Sequence, residues 1–186
     1  MKKLAFITFY IFFILSSISC VNHNIQTPED KILLTLMNKR LEVAPLVAKS
    51  KWNTKTPIDD PGREKIILDS VQAKAHKLGV NEDLARSFFQ AQFEAGKIIQ
   101  RKLHEKWKIQ NQPAFDPAPD LATKVRPVLD SLTPLLLIEL RKMKIGASHN
   151  QSMKKLSSDA RKMINPSFDS QVVKTAIKPL ESYFKK

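Results

Sequence analysis

Two cations in this sequence stand where apolar residues belong. Leu33, Leu36, Met37, Arg40, Ala44, Val47 and Lys51 follow one another at intervals of three or four, so in a single helix all of them project from roughly one face. Arg40 and Lys51 would then point inward. Eleven residues at about 100° each return to within roughly 20° of the starting direction and rise by roughly 16 Å. Two long side chains reaching toward each other over that span could close on a small anion; the plainer alternative is that both snorkel to the surface from the ends of the stripe. A second stripe, Ala85, Phe89, Gln92, Phe93, Gly96, Gln100 and Leu103, again puts polar residues in core positions. Gln100 taken alone reads as a core amide satisfied by a neighbour, and Gly96 would let a group approach the backbone closely.

Other chemistries find little support. Four glycines in total leave no room for a nucleotide-binding glycine loop, and His23, His76, His104 and His149 are scattered without metal-ligand spacing. No serine, histidine and acid form a recognisable nucleophile motif. Neither metal nor cofactor is expected. The formal net charge of +13 favours anionic partners without choosing among nucleic acid, an anionic membrane and a small polyanion. Because the basic residues are spread along the chain with no dense run or interleaved aromatics, nucleic acid is not expected.

The elements that must position these residues are helical. Leu, Ala, Lys, Ile and Gln are abundant and strand-like alternation is hard to find, so the expected fold is all-α, one domain of about six helices with a sizeable core. Residues 1–20, with two lysines, an apolar run over 4–15 and small polar residues, read as an export signal too short for a comfortable transmembrane span. Cys20, the one cysteine, closes it and leaves two readings open: cleavage near Ser19, or lipid attachment at Cys20 as the sole tie to a membrane. Either way the working part, residues 21–186, is expected outside the cytoplasm, in the periplasm or secreted, resting on its core without an intrachain disulfide.

Thr27 and Pro28 look like a cap and first position of a helix running to about residue 52. The proline- and aspartate-rich stretch 53–61 is a loop. Gly62 opens a second helix ending at Leu78-Gly79, and Asn81 caps a third over 82–107. A proline-rich connector over 111–119 leads to a fourth helix over 121–143, interrupted by Pro127 and Pro134. A turn over 146–151 and two amphipathic helices, broken at Asn165-Pro166, read as structural cover.

The run Arg40-Leu41-Glu42-Val43-Ala44, Lys51 eleven residues after the arginine, Pro57-Ile58-Asp59-Asp60 with Arg63 and Glu64, and Gln100 thirty-seven residues beyond Arg63 together resemble an all-helical chorismate mutase. The resemblance covers about residues 30–142, with residues 30–110 supplying the catalytic helices and 120–186 the fourth helix and the cover. The export signal and the additional C-terminal helices resemble the secreted class, in which one chain builds its own complete site. The implied reaction is the pericyclic rearrangement of chorismate to prephenate, which needs no nucleophile, metal or cofactor. It requires a dicarboxylate held in a compact chair and donors aimed at the breaking ether bond.

On the resemblance, Arg40 grips one carboxylate, Lys51 donates to the ether oxygen and a carboxylate, and Gln100 gives the ether oxygen a second hydrogen bond. Asp60, Arg63 and Glu64 surround the ring hydroxyl and the neighbouring carboxylate, with Glu64 accepting from the hydroxyl. Arg126 supplies the second arginine, with Lys124 in reserve, although Pro127 directly after it departs from the family's pattern. Gly96 departs too, since the family commonly has serine or threonine there. The resemblance also implies a homodimer. The alternative from another class is a non-catalytic exported or lipid-anchored helical protein that binds a small anion in the same cavity.

Overall fold

The structure is a computed structural model and describes residues 28–143 and 149–183. Among the described residues the chain forms seven α-helices and a π-helical turn, with no strand: α1 (Pro28–Leu41), α2 (Ala44–Thr54), α3 (Pro61–Leu78), α4 (Glu82–Ile109), the π-turn (Leu121–Val125), α5 (Arg126–Lys142), α6 (His149–Met163) and α7 (Ser170–Tyr183). The all-α expectation holds. The count exceeds six because the first expected helix is two. Pro45 has no N–H for the carbonyl of Leu41, and its ring would strike that carbonyl. The chain therefore pauses at Glu42-Val43 and restarts with Leu46 and Val47 both donating to Val43 O at 3.1 Å. The proposed cap Thr27 and the export signal lie outside the described residues, as does most of the expected turn over 146–151, whose last residues already belong to α6.

The other boundaries follow from local chemistry. Asp60 Oδ1 accepts from Arg63 N at 3.0 Å and caps α3, with Pro61 in the first turn where its missing N–H is harmless. Gly79 ends α3 in the left-handed conformation, φ 66°. Asn81 Oδ1 accepts from Leu84 N at 2.8 Å to start α4. Pro134 stays inside α5, and Pro179 inside α7.

α4 is the central element. α7 covers one side of it, while α1, α2 and α3 pack on the other, and α5 lies across α1 and α3. Phe88 and Phe89 are fully buried in the first third of α4, and Leu33, Leu34 and Met37 of α1 and Leu136 and Leu137 of α5 belong to the same core. Fully burying side chains of this size contributes roughly 1.5–3 kcal/mol each. α7 is tied to α4 by a buried polar contact, in which Gln92 Nε2 of α4 donates to Ala176 O of α7 at 3.0 Å. At the far end of α4, Trp52, His104, Trp107 and Phe115 stack edge to face, and the Asn53 amide both donates to and accepts from the backbone of Phe115 at 2.8 Å. The connector after α4 is thereby tied to α2. Among the described residues no helix is long and apolar enough to cross a membrane.

Candidate active site

Arg40, one residue before the end of α1, is 7% exposed. Its guanidinium lies over the rings of Phe89 and Phe93 of α4, 5.2 and 5.4 Å from their centroids. Among the described residues no carboxylate or carbonyl accepts a hydrogen bond from it. Burial pushes its pKa down to about 10, the expected consequence of taking a charge out of water without a counter-ion. Two aromatic faces offset part of that cost, and the donors of a planar fork remain free for an anion.

Lys51, in the last turn of α2, is half-buried and donates from Nζ to Ile58 O at 2.7 Å. Partial burial lowers its pKa, while Asp60, Asp59 and Glu64 oppose that change and the nearby Lys97 adds to it. Gln100 of α4 is buried, and its Oε1 has no hydrogen-bond partner. It lies between two residues that touch α2: Gly96, where an added Cβ would stand 3.9 Å from Ala44 Cβ, and His104, whose Nε2 is 2.9 Å from Ala48 O. The amide thus belongs to the wall facing α2. Gly96 is not there for a tight approach, since 3.9 Å is ordinary contact.

Glu64 sits in the first turn of α3, where the helix dipole favours its charge. The ammonium of Lys97 lies 3.2 Å from its Oε1. Asp60 serves chiefly as the cap of α3, and the side chain of Arg63 is exposed. The fold therefore gathers Lys51, Asp60 and Glu64 into one charged cluster, while Arg40 packs on α4 at Phe89 and Phe93 and Gln100 lies about two turns further along that helix. Arg126 and Lys124 are exposed, and neither side chain makes a hydrogen bond to a described residue. The π-turn that carries Lys124 packs against α2, and Arg126 helps to lower the pKa of Asp120, a change due mainly to the hydrogen bond from Ala122 N.

Lys97, Glu94, Asp59 and Arg101 also join the cluster, unforeseen from the sequence. Lys97 pairs with Glu94 at 2.7 Å and Asp59 at 3.5 Å, and Arg101 holds both oxygens of Asp59 at 2.7 and 2.8 Å. The signal available was the Glu94, Lys97, Arg101 spacing of three and four on one helix face. Two surface clefts, of about 510 and 470 Å³, surround Asn81 at the start of α4 and include none of Arg40, Lys51 or Gln100.

A buried arginine without a counter-ion among the described residues and a half-buried lysine suit a small polyanion whose charge shifts between oxygens, and the Gln100 amide, whose Nε2 gives no hydrogen bond to a described residue, adds a free donor. Comparison with known proteins gives the arrangement a family. The chorismate mutase type II family profile matches residues 29–101, which include Arg40, Lys51, Asp60, Arg63, Glu64 and Gln100 but not Arg126. A chorismate mutase of Methanocaldococcus jannaschii is 31% identical over 83 residues, 45% of this chain and 84% of that protein. The chain belongs to the type II chorismate mutases. A crystal structure of chorismate mutase from Burkholderia thailandensis superposes with a TM-score of 0.71 at 31% identity, covering 82% of this chain and 98% of the other. A secreted chorismate mutase of Yersinia pestis is 33% identical over 84 residues, 45% of each chain, so the match spans just under half the length of that relative.

Proposed function

We propose that this type II chorismate mutase is an exported enzyme that rearranges chorismate to prephenate within a site built by one chain. The observation that carries the reading is the buried guanidinium of Arg40, which has no acceptor among the described residues, on the seam of α1, α2 and α4 that also holds Lys51 and Gln100. Arg40 grips one substrate carboxylate bidentately. Lys51 and Gln100 converge on the ether oxygen, where negative charge grows as the bond breaks, and Lys51 also meets a carboxylate. Glu64 accepts from the ring hydroxyl, with Asp60 and Arg63 beside it, and Arg126, or Lys124 in its place, meets the second carboxylate from the start of α5.

Binding the flexible substrate as a compact chair supplies the entropic part of the barrier reduction, and the donors supply the electrostatic part. A million-fold acceleration asks about 8 kcal/mol of the two together. Buried donors suit the task because they need no reorganisation as charge moves.

Residues 1–20 act as the export signal in this reading and 21–186 as the mutase domain, released to the periplasm or medium or anchored through a lipid at Cys20. The export pattern of residues 1–20 and the Yersinia relative that is itself named secreted support that location. The chain pairs as a homodimer with a site in each copy. Incubating the protein with chorismate tests the activity: the diene absorbance should disappear with formation of prephenate, convertible by acid to phenylpyruvate. Loss no faster than in buffer would refute it.

A further inference from the structure

Lys97 is a buried cation with no role in the reading above. It is 8% exposed, and its Nζ stands 2.7 Å from Glu94, 3.2 Å from Glu64 and 3.5 Å from Asp59. The three carboxylates come from three places: α4 itself, the first turn of α3 and the loop over 55–60. Glu94 alone would satisfy a surface lysine. This side chain is turned inward instead, where it collects carboxylates from two other segments.

The loop is held from both sides. Arg101, one turn after Lys97, clasps Asp59 through both oxygens, and Lys51 on α2 donates to Ile58 O at 2.7 Å. The next residue, Asp60, accepts from Arg63 N at 3.0 Å and through its carbonyl from Glu64 N at 2.9 Å. The start of α3, and with it the position of Glu64, therefore depends on where the loop sits. Lys97 touches both the loop and Glu64.

Resting on the reading of the site given above, we propose that Lys97 is a positioning residue, whose ammonium bridges Glu64, Glu94 and Asp59 and so fixes the Glu64 carboxylate and the 55–60 loop in the arrangement that receives substrate. Donor accounting separates this role from direct contact. An ammonium has three N–H groups, and three carboxylates surround this one. Arg40, by contrast, gives no hydrogen bond to a described residue. A bound dicarboxylate finds open donors at Arg40, whereas at Lys97 it would have to displace carboxylates of the protein.

The test compares the full chain with its Lys97→Met and Lys97→Arg variants, measuring amide hydrogen exchange over residues 56–64 and steady-state kinetics with chorismate. Lys97→Met should keep its helical content, exchange the 56–64 amides several-fold faster and lose at least about tenfold in kcat with KM changed less than threefold. Lys97→Arg should recover most of both. Unchanged exchange over 56–64 in Lys97→Met would overturn the proposal, as would a loss confined to KM, which would mean that the ammonium grips substrate. If Lys97→Met does not fold, Asp59→Asn, at the exposed end of the same bridge, replaces it with the same expectation. A parent chain without turnover would refute the activity alone, since the exchange data still decide whether Lys97 holds the loop.

Discussion

Replacing Arg40 by methionine should make the protein more stable while removing its activity. Burial lowers the guanidinium pKa to about 10, which corresponds to about 3 kcal/mol spent on keeping the folded state charged. The sign follows from linkage. Below pH ~10 both folded and unfolded chains carry the proton, so the whole cost is present at neutral pH, and it is relieved only as the folded chain sheds the proton at higher pH. Cation–π contact with Phe89 and Phe93 is lost in the variant, about 0.5–1 kcal/mol for each ring. Methionine keeps most of the buried volume. The net gain should be about 1–2 kcal/mol, which raises Tm by roughly 3–6 °C for a chain of this size. Activity should move the other way, because a buried charge pair that loses one partner costs 2–5 kcal/mol, or roughly 30-fold to several thousand-fold in kcat/KM. Thermal unfolding at pH 7 and a chorismate assay on the same preparations check both. A variant that melts several degrees lower, or that retains near-native turnover, would refute the claim that Arg40 is an uncompensated cation kept for an anion.

Other substitutions probe the remaining donors. Lys51→Ala should remove most of the activity at unchanged circular dichroism. Gln100→Glu should be active in acid and lose activity as pH rises, because a glutamate in this buried position donates only while protonated; the parent should be nearly flat between mildly acidic and neutral pH. Burial already lowers the pKa of Lys51, and Asp60 is the largest influence opposing that change. Asp60→Asn should therefore move the alkaline limb of the kcat/KM profile to lower pH, the charged lysine being the active form. Gly96→Ala should raise stability by about 0.5–1 kcal/mol, since the new Cβ meets Ala44 at 3.9 Å and the helix interior gains from the exchange.

Much of this architecture was legible in the sequence where a single local rule decided it. Gly79 had to end α3 and Asn81 had to start α4, and both do. The break between α1 and α2 was also written there, in Pro45, but a stripe that continues in phase from Leu33 to Lys51 hid it. Periodicity reports which face is apolar and says nothing of whether the backbone can continue. Lys97 escaped for a different reason. A stripe assumes one buried face, whereas the middle of α4 is packed from both sides, so Ala95, Lys97 and Ile99 are buried along with Gln92 and Gln100. Nor does spacing show which inward cation keeps a partner. Lys97 meets three carboxylates and Arg40 meets two phenyl rings, a difference set by which helices arrive opposite them.

The central claim is that the seam of α1, α2 and α4 binds chorismate and rearranges it. Its most direct test follows chorismate absorbance with the purified chain and with Arg40→Met side by side. Rapid conversion to prephenate by the parent and a rate at least about thirtyfold lower for the variant are expected. Chorismate bound tightly but left unconverted by the parent, or turned over equally by both proteins, would contradict it.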